Sequence, residues 1–424
     1  MSIKNKINIP SLGLLALLII FLYPFYCPLI SKFTGYSLGE LYTFGFPKNE
    51  FIIMWIALGG VIGFVSNIRL MQKRIGNHDK HLTNTRFSSG IELLGNPNES
   101  TRIGGAFNLF FLAEKFPDEF LTPVCEILCA HIRTITSEKS YQKKFRNRPS
   151  NETQTIIDLL LKKNKKNKLI FDNCNKNFIG AFLCEINLDS AILNNINFYK
   201  ATLCNVDFSD AIVNNVNFNY ASLTDVLFRE AKLSNVYFKN AQLDKADFNN
   251  ASLNDVEFND STLNNLYFSH ACLVKVYFSD AVLNNVDFSK STLSNCYFIK
   301  AGLSNIYFSV AVLNKVFFNN ATLTNGDFND ATLSSVDFRY AALNNVSFVS
   351  ADLNEVNFWT GNEIKEVNFR GTKLEKYSIK QITNKGFSIE KTNPAPQHKG
   401  RMLAGNATRI DGQKQNLPTI YVND

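Results

Sequence analysis

The sequence predicts a mainly β chain: a solenoid of five-residue turns, preceded by two transmembrane helices and a small α-helical segment. Three observations predict it. A large apolar residue recurs at every fifth position from Phe178 to Phe358, giving 37 units. Two uncharged apolar runs, 12–30 and 51–68, lie near the N-terminus. Between them and the repeats, apolar residues fall at helical three- and four-residue spacings.

The composition is that of a folded chain with one overused residue. Of 424 residues 45% are hydrophobic, and Phe occurs 37 times against 2 Trp and 4 Met, as when one structural slot is refilled repeatedly. The formal charge of +7 divides unevenly. Residues 1–170 carry 22 Lys/Arg against 12 Asp/Glu, residues 171–360 carry 11 against 19, and the remainder carries 11 against 6. A net of −8 over the repeats argues against a basic nucleic-acid groove there.

Each apolar run approaches the ~20 residues that cross a hydrocarbon core. The first contains Pro24 and Pro28, with no small-residue cleavage site of the kind that ends a signal peptide. Lys4 and Lys6 precede it, while Arg69, Lys73, Arg74, Lys80 and Arg86 follow the second run. In the connecting loop Lys32 and Lys48 are balanced by Glu40 and Glu50. The positive-inside rule then keeps both termini and the repeats cytoplasmic, at a bacterial inner membrane. Residues 1–85 form the anchor.

Residues 86–168 read as a helical adaptor. Asn96-Pro97-Asn98 and Phe116-Pro117-Asp118 break its helices, and Ser150-Asn151-Glu152 opens the last one as a cap. Its Arg86-Phe87, Arg102-Ile103-Gly104-Gly105, His131-Ile132-Arg133 and Glu152-Thr153-Gln154 resemble the segment between membrane anchor and repeats in bacterial pentapeptide-repeat proteins. Helix packing suffices to explain the glycines and arginines.

The repeat alternates Ala-x-Leu, as in Ala201-Thr202-Leu203, with Val-x-Phe, as in Val206-Asp207-Phe208. Ser261, Ser291, Cys296 and Gly326 take the small-residue slot without losing phase. A helix would smear a five-residue period around its circumference, and a strand would alternate it between faces. A chain that turns a corner after every unit keeps the small and large residues inside, with Asn, Asp and Ser suited to the outer corners. This run resembles the pentapeptide-repeat family, whose pattern stands in Ala351-Asp352-Leu353-Asn354-Glu355. The resemblance implies a right-handed quadrilateral β-helix with four units per coil, hence about nine coils and a rod of roughly 43 Å at the strand spacing. It also implies Phe ladders on two opposed inner walls. The phase slips at Trp359-Thr360-Gly361-Asn362-Glu363. The β-helix is bounded at 169–379, and residues 380–424 are expected to complete a cap and to end in a disordered tail.

With four units per coil, outward residues twenty apart stack on one face. One column holds Tyr237, Glu257, Tyr277, Tyr297 and Phe317, and the opposite one Asp247, Tyr267, Asp287, Tyr307 and Asp327. These aromatics are the partner-binding candidates, since exposed apolar patches mark interfaces; cross-coil pairing that only stabilises the sheet is the alternative. Cys184 and Cys204 are also twenty apart and are expected as free thiols in a reducing cytoplasm. Cys125 and Cys129, with His131 nearby, lack the four ligands of structural zinc. Neither His270 nor the scattered carboxylates form a nucleophile–base pair, so no catalytic residue, metal or cofactor is expected. The function that fits is a non-enzymatic scaffold presenting a rigid rod to protein partners, with homodimerisation open. A DNA-mimic regulator of an enzyme such as a topoisomerase, as some family members are, is the alternative; Lys200, Lys232, Lys239, Lys275, Lys290, Lys300 and Lys315 weigh against it. A secreted bacterial effector is a further alternative.

Overall fold

The computed structural model describes residues 48–148, 150–164, 167–358, 364–374, 389–391 and 420–422. The apolar run 12–30, the segment 359–363 and most of the expected cap and tail lie outside them. Two compact units, Met1–Asn84 and Thr85–Asp424, divide the chain.

Helix α1 (Lys48–Leu94) carries the second apolar run and continues without a break through the basic stretch into the adaptor. No proline interrupts residues 69–94, so nothing ends the helix at the expected boundary near residue 85. Among the described residues, no helix is long and apolar enough to cross a membrane.

The helical segment continues with α2 (Glu99–Lys115), α3 (Pro117–Ser137), α4 (Lys139–Lys144) and α5 (Asn151–Leu161). The polar breaks read from the sequence act as caps: Asn98 accepts from the Ser100 amide at 2.9 Å, and Ser150 from the Thr153 amide at 3.3 Å. The short α4 has too few apolar residues to announce itself. Gly105 is required for packing, since a Cβ there would lie 2.7 Å from the Leu94 backbone nitrogen, whereas one on Gly104 meets nothing. Glu152, only 3% exposed, ties three helices together: Arg102 donates two hydrogen bonds to it at 2.7 and 2.6 Å, and His131 lies 2.6 Å away. Burial opposes its ionisation, but the bonds from His131 and Arg102 outweigh that and hold the carboxyl below its usual range.

From residue 176 the chain winds as a parallel β solenoid of about nine coils, with register advancing by twenty: Ile192↔Ile212, Lys232↔Ser252, Leu293↔Leu313. Among the described residues, eleven strands stack in one solenoid sheet and ten in the other. The corners explain the period. Every fifth residue from Glu185 to Glu355 has φ between 50 and 61°, the left-handed region that Asn and Asp tolerate best. At alternate corners a tight turn closes after the phenylalanine, as where the Ala201 amide donates to the Phe198 carbonyl at 2.9 Å. At the others Asn side chains bond from coil to coil, as Asn215 to Asn195 at 2.6 Å and Asn345 to Asn325 at 2.8 Å.

Inside, two phenylalanine ladders run along the rod. Phe238, Phe258 and Phe278 stack at 4.7 and 5.0 Å in one, and Phe248 and Phe268 at 4.7 Å in the other. The ladders meet edge to face, with Phe248 at 89° to Phe258, the geometry a ring quadrupole prefers. The extra residue near 359–363 shifts the pairing to Leu343↔Ile364, yet Phe369 still stacks on Phe348 at 5.1 Å. Ile420–Val422, in the tail expected to be disordered, pairs in parallel with Ile389–Lys391.

Helical side chains cover the first coil. The Gln154 amide pairs with the Asn187 backbone, donating at 3.0 Å and accepting at 2.9 Å, as a neighbouring strand would. Thr136 accepts from the Phe182 amide, and Arg133 donates to the Asn177 carbonyl. Lys176 fills the inward slot below Ile196 and is 1% exposed, its ammonium donating to the carbonyls of Asp172, Cys174 and Asn194.

Candidate partner-binding surface

The outward slot before each ladder phenylalanine has a local duty. An Asn or Asp there accepts from the amide two residues on: Asn197 from Tyr199 at 3.0 Å, Asp207 from Ser209 at 2.9 Å, Asp327 from Asn329 at 2.9 Å. This bond explains why the slot is mostly Asn or Asp. Where an aromatic residue stands instead, the bond is lost, and an Asn from the preceding coil can replace it: Asn219 accepts from Lys239, Asn249 from Ser269 and Asn259 from Ser279.

Of the six aromatic candidates, three come together. Tyr277, Tyr297 and Phe317 stack at 5.0 and 5.1 Å with rings within 12° of parallel, each half-buried. The column ends at Glu257 on one side and Asp337 on the other. Tyr237 is cut off by Glu257. Tyr267 and Tyr307 are exposed on the opposite sheet with Asp287 between them, so they form no pair. The Tyr277 phenol is raised above its usual range by burial, then by Asp255.

Two residues that the column arithmetic missed extend the surface. Val310 is 51% exposed at a corner with φ 60°, where a β-branched side chain is a true outlier, and Val312 is 44% exposed on the next wall. Tyr307, Val310, Val312 and Phe317 thus lie along one coil and turn an apolar band around two successive corners. An aliphatic residue at a corner slot otherwise filled by polar or aromatic residues was the available signal. Lys275, Lys300 and Lys315 occupy corners beside the column, and among the described residues none has a carboxylate partner. Elsewhere on the rod charges pair, as Arg229 with Asp247 at 2.6 Å and Lys239 with Asp260 at 3.5 Å.

The remaining polar candidates do not converge. His270 is a corner residue, and His131 faces Glu152. Among the described residues no group of three His, Cys, Asp or Glu could hold a metal. Burial pushes the Cys174 thiol up to about 11 and that of Cys296 up to about 12. Cys184 and Cys204, expected as free thiols, are joined as a disulfide; coil stacking brings their Cα atoms to 4.5 Å, within bridging reach.

The fold defines a parallel β solenoid. A family profile described as a pentapeptide repeat region matches residues 231–308, and one described as pentapeptide repeats matches 183–219 and 301–339. With the five-residue corners, these matches support a pentapeptide-repeat protein. Among solved structures, HetL, a pentapeptide-repeat protein involved in heterocyst differentiation regulation in the cyanobacterium Nostoc, is 20% identical. That match covers 48% of this chain and 90% of HetL, with a TM-score of 0.30. QnrB1, a plasmid-mediated fluoroquinolone resistance protein, is 18% identical over 48% of this chain and 94% of its own, with a TM-score of 0.24. A pentapeptide-repeat protein of the Arabidopsis thaliana thylakoid lumen is 27% identical over 22% of this chain and 63% of its own, with a TM-score of 0.17. No curated protein matches.

Proposed function

We propose that this protein is a membrane-anchored, non-catalytic scaffold that offers its β-helical rod to a protein partner on the cytoplasmic side. The two apolar runs with their flanking cations support the anchor and its orientation. A right-handed winding, the hand the family resemblance implies, belongs to the same reading. One observation carries the binding role. The fold's own hydrogen bonding favours Asn or Asp before each ladder phenylalanine, yet three successive coils place Tyr277, Tyr297 and Phe317 there and stack them. Unpaired Lys275, Lys300 and Lys315 around it favour a partner whose contact surface is apolar with an acidic rim. Coil-to-coil ion pairs elsewhere on the rod break up the uninterrupted negative rows that imitation of a DNA backbone would need.

The test is crosslinking in intact membranes, followed by identification of what is captured. Replacing Tyr277, Tyr297 and Phe317 together by Asn should leave the β circular-dichroism spectrum intact and remove the captured protein. Unchanged capture would overturn the proposed surface, and an unfolded variant would reassign the column to sheet stability.

A further inference from the structure

Away from the rod, the helical segment contains a cavity of about 470 Å³, within the usual range for small-ligand sites. It is lined from α1 by Arg86 and Ser89, and from α2 and the residue after it by Asn108, Phe111, Lys115 and Phe116. No carboxylate lines it. The ion pairs among the described residues include neither Arg86 nor Lys115. The Lys115 ammonium instead stands 5.2 Å from the centroid of the Phe116 ring. Two cations without counter-charge, a hydroxyl and an amide thus share one concave surface. An anion with several acceptor oxygens answers all of them: guanidinium fits a phosphate edge-on, and the ammonium adds a point charge.

The other half of the lining is apolar and open. Phe111 is 57% exposed and stacks at 6.3 Å on Phe107, itself 39% exposed. Phenyl rings left in water beside unneutralised cations match a ligand that carries an apolar body next to its charge. We propose that this cavity binds the phosphoryl group of an amphiphile, Arg86 and Lys115 holding its oxygens while Phe111 and Phe116 pack against its apolar part. An anionic phospholipid headgroup and a soluble phosphorylated compound share this chemistry.

The test uses the full-length protein in neutral detergent micelles, with thermal unfolding and native mass spectrometry as readouts. Four probes are compared: dihexanoyl phosphatidate, dihexanoylglycerol, hexanoate and inorganic phosphate. Phosphatidate should raise the melting temperature saturably and appear as one bound molecule, while dihexanoylglycerol and hexanoate do neither. Arg86→Gln with Lys115→Gln should weaken phosphatidate binding by about tenfold or more, the loss expected for charge-assisted contacts. Both side chains are exposed, so the variant should retain the parent spectrum. Phe111→Ser should weaken phosphatidate but not inorganic phosphate. A phosphate effect as large as that of phosphatidate supports the site and assigns it to soluble phosphoryl compounds; a much smaller one assigns it to lipid. The proposal is overturned if neither phosphoryl probe binds saturably, if dihexanoylglycerol or hexanoate binds as well as phosphatidate, or if the double variant binds like the parent.

Discussion

At the scale of single residues, the corners separate what the fold asks for from what it tolerates. A left-handed φ at every fifth position is met by Asn at Asn195, Asn215, Asn235 and many others, where the short amide bonds nearby groups. Val310 meets it with a branched side chain at φ 60° and 51% exposure, so the fold gains nothing from it. Val310→Asn is expected to raise stability by about 1 kcal/mol, the left-handed penalty that Asn largely escapes, read as a rise in the denaturant midpoint. A fall would mean that Val310 packs in a way its exposure hides. If Val310 also serves the partner surface, the stabilised variant should capture less partner. That every large side chain turns inward was legible from the spacing of five, whereas the two phenylalanine ladders followed only from the four-unit coil that the family resemblance implies. Val310 was legible only as the aliphatic exception in a slot otherwise polar or aromatic, and the backbone angle that makes it costly shows only in the fold.

At the scale of elements, the helical segment is held by polar contacts that the sequence did not reveal. Caps are local and were readable: Asn98 and Ser150 lie within three residues of the amides they serve. Arg102 and Glu152 are fifty residues apart, and Gln154 and Asn187 thirty-three, so no spacing rule links them. Glu152→Gln removes one member of a buried charge network and should cost about 3–5 kcal/mol at neutral pH. Because the folded carboxyl titrates below its usual 4.5, its contribution is complete above that value and is lost as pH falls through the lower folded value. Thermal melts of the parent should therefore weaken with acid in that window, and those of Glu152→Gln should weaken less. Equal acid slopes for the two proteins would remove Glu152 as the cause.

At the scale of the whole molecule, the cysteine pair and the charge distribution bear on one part of the proposed function, the side of a membrane on which an anchored rod would lie. Disulfides persist in oxidising compartments, whereas the proposed anchor, with cations flanking 51–68, would put the rod in the reducing one. In that compartment Cys184 and Cys204 should stand as two thiols and close only after extraction into air. Because Cys184 is buried, cells should be acid-quenched and the unfolded chain then alkylated, which should label both; a pair found oxidised at the quench would place the rod on the far side and reverse the orientation. The stacking that brings these residues together follows from the repeat, but which partner a thiol meets depends on redox conditions that the repeat does not encode.

The Gln154 amide, set against the Asn187 backbone, has a consequence for assembly. Stacked parallel strands are a template, and their terminal row invites a second chain to continue the pile into a fibre. Here a side chain from a helix takes up hydrogen bonds that an incoming strand would use, and Thr136 and Arg133 occupy others along the same rim. The helical segment is therefore a stopper, keeping a self-complementary pile finite at that end.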